Sequence, residues 1–420
     1  MNVKNLVAVG AVLFASTVLA EAGIVNTVVR QRWPWSQKVD ISFTVTGETT
    51  DVALTATYDG AIEPLTLQEK DIEGQDLYDL EPGLHRLTWD PVSAGLGTTE
   101  LKNFSITVTP TSVDRTYMIL DLKTGAYEYA ASEPDGGWKS ASSDYYRSKM
   151  VLRRIPRGTF WMGYPADMLA RIGSNNTDMQ KWHQATLSSD YYISVYPVTV
   201  DQQLCATGTV AGIDVRLSKA ESFCNCNYNT LRGTVAAGIN WPSTGYRVAE
   251  DSVINAYRTL TKSTFPKGWV IDLPTAAQWE RAGKATTPTN QYWVVGGTVD
   301  STDVELTNFV NQVAVWTPNK SAPSSTKVGQ LTPNGWGLYD IEGLCFEWNL
   351  EWMVSGIATL SGVDPVGPTS ASNNCRIRRS SYASGKNLFW CTAAYINNYG
   401  QDNTNPGYRL CITLKPIKFE

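Results

Sequence analysis

The sequence predicts an α+β protein in two parts: a small β-sandwich over residues 21–112 and, past a connector at 113–149, a larger loop-rich domain beginning near Met150. Three observations carry that expectation. Before Pro110, apolar and polar residues alternate in short runs set apart by Gly, Pro and Asp, the pattern of strands with one buried face. After Met150 helix signals are few and turn residues many. The stretch Leu331–Trp352 then gathers Trp336, Leu338, Tyr339, Ile341, Leu344, Phe346, Trp348 and Trp352 around only four acids, so it must be buried. With 420 residues there is chain enough for two cores.

Taken in order, Met1–Ala20 has a short basic start at Lys4, an apolar run from Leu6 to Leu19 and small residues at Ala20 and Ala22. This is the pattern of a cleaved secretory signal and predicts a secreted protein, in the periplasm, on the cell surface or outside the cell. The run is short for a bilayer span, and no later stretch reads as one. The strand runs are Val39–Val45, Val52–Tyr58, Leu84–Trp89 and Phe104–Val108, and His85 within the third reads as a satisfied side chain rather than a ligand. A hairpin is expected in the connector from Tyr117–Leu122 and Ala126–Ala130, followed by a polar surface excursion. Farther on, Val248–Thr261 has helical apolar spacing. Thr275 with Gln278 three residues later is a capping-box variant that starts a helix reaching Lys284.

Composition excludes some classes of function. The net charge is −5 with no run of Lys or Arg, so there is no electrostatic footprint for nucleic acid. The seven cysteines all follow the signal segment; in an oxidising compartment some should pair, and the odd count leaves at least one over. Cys224-Asn225-Cys226 lacks the second ligand pair that a zinc site needs. Only two histidines, His85 and His183, are present, which leaves no histidine cluster for iron; Ser/His/Asp chemistry would need one beside a nucleophile, and His183 reads as structural.

Five segments in order carry a family resemblance: Ile155–Gly163 (IPRGTFWMG), His183 with Tyr191–Ile193 and Pro197–Thr199, Leu273–Glu280 (LPTAAQWE), Asn334–Trp348 (NGWGLYDIEGLCFEW) and Gly407–Leu410 (GYRL). Over residues 150–416 the chain resembles the formylglycine-generating, or sulfatase-modifying factor, family. The resemblance implies a C-type-lectin-like fold. It also implies a calcium ion held by Asp340, the backbone of Gly343 and Cys345, and Glu347; hard oxygen donors of this kind suit calcium. The family's copper oxidase chemistry uses two cysteines after an "RGGS" strand, since thiolates suit copper(I). Here that strand is Arg376–Ser384, its glycines are Ser380 and Ser381, and the first cysteine would fall near Ser384–Lys386, where there is none. Cys391 alone is no copper site. The resemblance thus implies a scaffold without its oxidase chemistry, the alternatives being an oxidase of protein cysteine that uses Cys391 with another thiol, or a self-associating structural protein.

Half of the residues from Ser380 to Asn405 are Tyr, Ser, Asn or Gly, the mixture that gives antibody loops large rigid contacts with adaptable hydrogen bonding. The segment also resembles the variable region of retroelement-diversified proteins. Tyr382, Ser384, Lys386, Tyr395, Asn397, Asn398 and Tyr399 stand in or near the exchangeable places, with Phe389 and Trp390 as aromatic anchors. These nine residues are the expected ligand-binding set, for an extracellular protein or glycan.

Overall fold

A computed structural model of the protein describes residues 21–163, 182–209, 221–285, 304–316, 327–353, 360–369, 375–379, 396–400 and 406–415. The expected signal segment lies outside them. The chain divides into two units, Met1–Val113 and Asp114–Glu420.

The first unit holds seven antiparallel strands. β1 (Gly23–Gln31), β2 (Val39–Thr46), β3 (Asp51–Thr57), β4 (Leu65–Thr66), β5 (Ile72–Glu73), β6 (Gly83–Trp89) and β7 (Ser105–Thr111) form sheets ordered β1-β2-β6-β5 and β4-β3-β7, and of these β2, β3, β6 and β7 follow the four period-two runs. Alternate residues of β2 (Val39, Ile41, Phe43, Val45) and β3 (Val52, Leu54, Ala56) share one buried core with Leu87, Trp89, Ile106 and Val108. Burying side chains as large as Phe43 and Trp89 stabilises the unit by about 1.5–3 kcal/mol each. His85 is held by the Glu81 carbonyl at 2.7 Å and by Gln75.

The second unit begins earlier than Met150, because the residues expected to be a connector are part of its largest sheet. β8 (Tyr117–Asp121) and β9 (Tyr127–Ala130) form the expected hairpin. The polar excursion after it is pinned by one apolar anchor: Trp138, in the short helix α1 (Trp138–Ala141), is 2% exposed and packs edge-on to Tyr117 and Tyr145. β10 (Lys149–Ile155) then lies between β8 and a later strand.

β11 (Gly158–Met162), β12 (His183–Leu187) and β13 (Tyr191–Ser194) precede three short helices, α2 (Val200–Thr207), α3 (Tyr228–Arg232) and α4 (Val253–Thr261). α4 starts at Val253 rather than Val248 because the Ser252 hydroxyl caps it by accepting from Asn255 N. β14 (Val270–Asp272) leads into α5 (Ala276–Lys284), where the expected capping box forms: Gln278 N donates to Thr275 Oγ1 at 3.1 Å, and Thr275 N to Gln278 Oε1 at 2.9 Å.

After α6 (Val304–Val313) come β15 (Glu347–Trp352), β16 (Gly362–Val363), β17 (Cys375–Arg379), β18 (Ile396–Gly400) and β19 (Cys411–Thr413). The sheets of this unit are ordered β14-β19-β13-β10-β8-β9, β11-β12-β16 and β15-β17-β18. No helix among the described residues is long and apolar enough to cross a membrane.

Candidate functional site

The expectation that Leu331–Trp352 is buried holds most fully in β15, all six residues of which are buried. Alternation sorts them onto two faces. Trp348, Leu350 and Trp352 point one way; the Trp348 indole donates to the Cys226 carbonyl at 2.8 Å and the Trp352 indole to Asn240 Oδ1 at 2.6 Å. Glu347, Asn349 and Glu351 share the other face, whose two carboxylates meet α5. Glu351 accepts from Ala276 N, the first residue of α5, at 2.7 and 2.8 Å, a favourable place for a carboxylate because helix N-termini leave N–H groups unpaired. Glu347 accepts from the Trp279 indole at 2.6 Å.

The buried acids needed partners, and for Glu347 the partner is Arg409. The Arg409 Nε lies 2.9 Å from Oε1 and 3.0 Å from Oε2, and both residues are fully buried. The guanidinium also donates to the carbonyls of Ser194 (3.0 Å), Val195 (2.8 Å) and Tyr339. Arg409 therefore ties the end of β13, the loop before β15 and β15 itself to the C-terminal segment. Burial raises the Glu347 carboxyl above its ordinary range, while Arg409 and the Trp279 indole pull against that.

Asp340 differs. It stands at φ 52°, its Oδ2 accepts from Gly329 N at 2.5 Å, and its buried Oδ1 has no hydrogen-bond partner. Burial raises its carboxyl, with Arg409 and Lys139 lowering it less. Gly343, at φ 72°, is required where it sits: a Cβ there would come within 2.5 Å of the Val315 carbonyl. Its own carbonyl accepts from Cys345 N at 2.7 Å. Of the four expected calcium ligands, Asp340 with its open Oδ1 suits a hard cation. Glu347 does not, because its charge is already matched by Arg409.

Three of the nine expected ligand-binding residues, Asn397, Asn398 and Tyr399, fall on the same sheet. β17 pairs with β15 through Glu347↔Arg379, Trp348↔Arg378 and Trp352↔Arg376, and with β18 through Arg376↔Tyr399, Ile377↔Asn398 and Arg378↔Asn397. Asn397, Asn398 and Tyr399 thus lie on the strand two removed from the buried motif. Segment 380–395 leaves β17 at Arg379 and returns at Ile396, its cross-strand partner. Tyr382, Ser384, Lys386, Phe389, Trp390 and Tyr395 lie outside the described residues, as does Cys391.

His183 is buried, with Nε2 3.2 Å from the Leu360 carbonyl. Pairing does not occur among five of the cysteines: Cys205, Cys224, Cys226, Cys345 and Cys411 are free thiols, all but Cys205 buried. Burial raises their thiol pKa values, to about 12 at Cys226. A cleft of about 440 Å³ opens between the end of α2 and the start of α4, lined by Thr207, Thr230, Asp251 and Asn255 among others. None of the expected site residues lines it.

The model of the sulfatase-modifying factor enzyme 1-like domain matches residues 141–413, so all five motif segments, from Ile155 to Leu410, fall inside it. The chain belongs to the sulfatase-modifying factor family. Several solved structures are similar to it. Treponema denticola variable protein 1 matches with 18% identity and a TM-score of 0.42, covering 63% of this chain and 95% of that one. PvdO from Pseudomonas aeruginosa matches with 18% identity and a TM-score of 0.46, covering 63% and 94%. A comparison with curated protein sequences finds no match.

What sequence reading missed in this sulfatase-modifying factor domain is the pairing of motifs. Glu347, Trp279 and Arg409 were each visible in a motif, but nothing in their spacing says that one carboxylate takes both the indole and the guanidinium. The available signal was charge balance, since a buried Arg and a buried Glu in apolar runs each require a partner.

Proposed function

We propose that this chain is a secreted, non-catalytic ligand-binding protein: an immunoglobulin-like N-terminal module joined to a sulfatase-modifying factor scaffold, with segment 382–399 as the recognition surface. The observation that carries the reading is chemical. The segment following β17 has no cysteine before Cys391, so the thiolate pair that copper(I) oxidation requires is missing one member at Ser384–Lys386. In its place stands a run rich in Tyr, Ser, Asn and Gly, suited to contact rather than turnover. The scaffold supports that use, because a sheet anchored by a fully buried strand lowers the ordering cost of binding.

The reading includes one calcium ion on Asp340 Oδ1 with the backbone oxygens of Gly343 and Cys345, leaving Glu347 to Arg409. A single carboxylate makes a weak site. At a calcium concentration equal to its dissociation constant the stabilisation is about 0.4 kcal/mol, and a thermal scan with and without chelator reads it. An identical Tm from micromolar to tens of millimolar calcium removes calcium from the reading.

Two measurements test the function. Copper-loaded protein given a cysteine-containing peptide should consume no oxygen; turnover that disappears in Cys391→Ser overturns the non-catalytic reading. An array of extracellular glycans and matrix proteins should retain the parent protein and release Trp390→Ala or Tyr395→Ala, each costing about 2 kcal/mol or more in affinity with Tm unchanged. Early melting of both variants would make them core residues and place recognition elsewhere.

A further inference from the structure

The first unit carries exposed apolar side chains where a soluble sheet protein would place polar ones. Trp35 is 88% exposed and Trp33 37%, both in the turn 32–38 between β1 and β2. Ile62, between β3 and β4, is 98% exposed, and Val92, after β6, is 43% exposed. Register places all of them at one pole. β1 ends and β2 begins there, with Gln31 opposite Val39; β3 ends there, with Thr57 opposite Ser105 at the start of β7; β6 ends there, with Trp89 opposite Val39. The chain leaves the unit after β7 from the opposite pole.

The three connections are tied to one another. Leu101 N donates to Gln31 Oε1 at 3.2 Å, Gln37 Nε2 to the Thr98 carbonyl at 3.4 Å, Asp59 N to the Lys102 carbonyl at 3.0 Å, and Asn103 Nδ2 to Asp59 Oδ2 at 2.9 Å. The turn bearing the tryptophans is closed by Arg32 N to the Lys38 carbonyl at 2.9 Å and Trp35 N to the Arg32 carbonyl at 3.1 Å. The backbone that carries the apolar tips is thus tied down before any ligand arrives, which removes part of the ordering cost of binding.

Charge selects among occupants. The cations of the tryptophan turn are engaged within the unit, Arg32 with Asp40 at 2.6 Å and Lys38 with Glu73 at 2.7 Å. The other two connections carry Asp59, Glu63, Asp90 and Glu100 against Lys102 alone. A nucleic acid, an anionic bilayer or a sulfated polymer would meet net negative charge. A stable protein partner needs roughly 800 Å² on each side, and a few tips on separate connections offer much less. An uncharged sugar ring asks for little area: its C–H face lies against an indole while its hydroxyls donate to carboxylates and amides, and the connections at this pole carry Trp33, Trp35 and Gln37 in one and Asp59 and Glu63 in another.

We propose that this pole binds a neutral polysaccharide, with Trp35 as the stacking platform. It is a separate site from segment 382–399 and does not depend on that reading. The full chain is run in native gels containing laminarin, hydroxyethylcellulose, xylan or galactomannan, with heparin gels and phosphatidylcholine or phosphatidylglycerol vesicles as comparison probes. Retardation is expected in at least one neutral polymer, with at least a tenfold weaker dissociation constant in Trp35→Ala. Because Trp35 is exposed, that variant should melt with the parent. No retardation in any of the four neutral polymers overturns the proposal, as does equal retardation of Trp35→Ala or binding confined to heparin or vesicles.

Discussion

Replacing Arg409 by Met keeps the volume and removes the guanidinium, leaving Glu347 fully buried beside Trp279 with no cation and the Ser194, Val195 and Tyr339 carbonyls without their donor. Removing one member of a buried ion pair costs about 3–5 kcal/mol. Each stranded carbonyl adds up to about 1–3 kcal/mol, less whatever a small shift or an entering water restores, so about 4 kcal/mol is the expected loss. For a unit of this size that corresponds to roughly 10 °C in Tm. Calorimetry on the full chain should move the transition of the second unit and leave that of the first where it was. The double variant Arg409→Met/Glu347→Gln removes the stranded charge while keeping an oxygen for the Trp279 indole, and should recover about 2 kcal/mol of the loss. A single variant costing under about 1 kcal/mol, or a double variant no more stable than the single, refutes Arg409 as the counter-ion of Glu347.

Glu351→Ala should cost about 1–3 kcal/mol, because both of its oxygens receive Ala276 N at the start of α5; urea unfolding followed by circular dichroism measures it, and Glu351→Gln should lie between parent and Ala. Gly343→Ala should destabilise the second unit by several kcal/mol through both the Val315 carbonyl and the positive φ, and equal Tm values would refute the close approach. Native thiol titration at pH 8 should label Cys205 well before Cys224, Cys226, Cys345 and Cys411, since burial holds their protons. The sign for stability follows. Between the ordinary thiol value of 9.0 and the Cys226 value of about 12 the folded state keeps a proton the unfolded state has released, so stability is full below pH 9 and falls as pH rises through that window. Cys226→Ala should flatten that slope in denaturant titrations.

Much of the fold was legible because its determinants are local. Period two fixed β2, β3, β6 and β7, since a strand's alternate residues face a single core wherever the strand ends up. The Thr275 box fixed the start of α5, since its two hydrogen bonds close within four residues. The place of the expected connector was not legible for the opposite reason: β8 and β9 have no core of their own, and the pairing of β8 with β10 together with the burial of Trp138 makes 114–149 part of the second unit. The same division runs through the site. Composition alone said that Leu331–Trp352 is buried and that its acids need partners, because an unpartnered charge away from water is too costly to keep. Which partner each acid takes was decided by tertiary structure. Glu347 meets Trp279 from 68 residues away and Arg409 from 62, and Glu351 meets Ala276 from 75. Such contacts are set by how β15 lies across α5 and beside the C-terminal segment, a choice made by the packing of the whole unit and written in no single stretch of the chain.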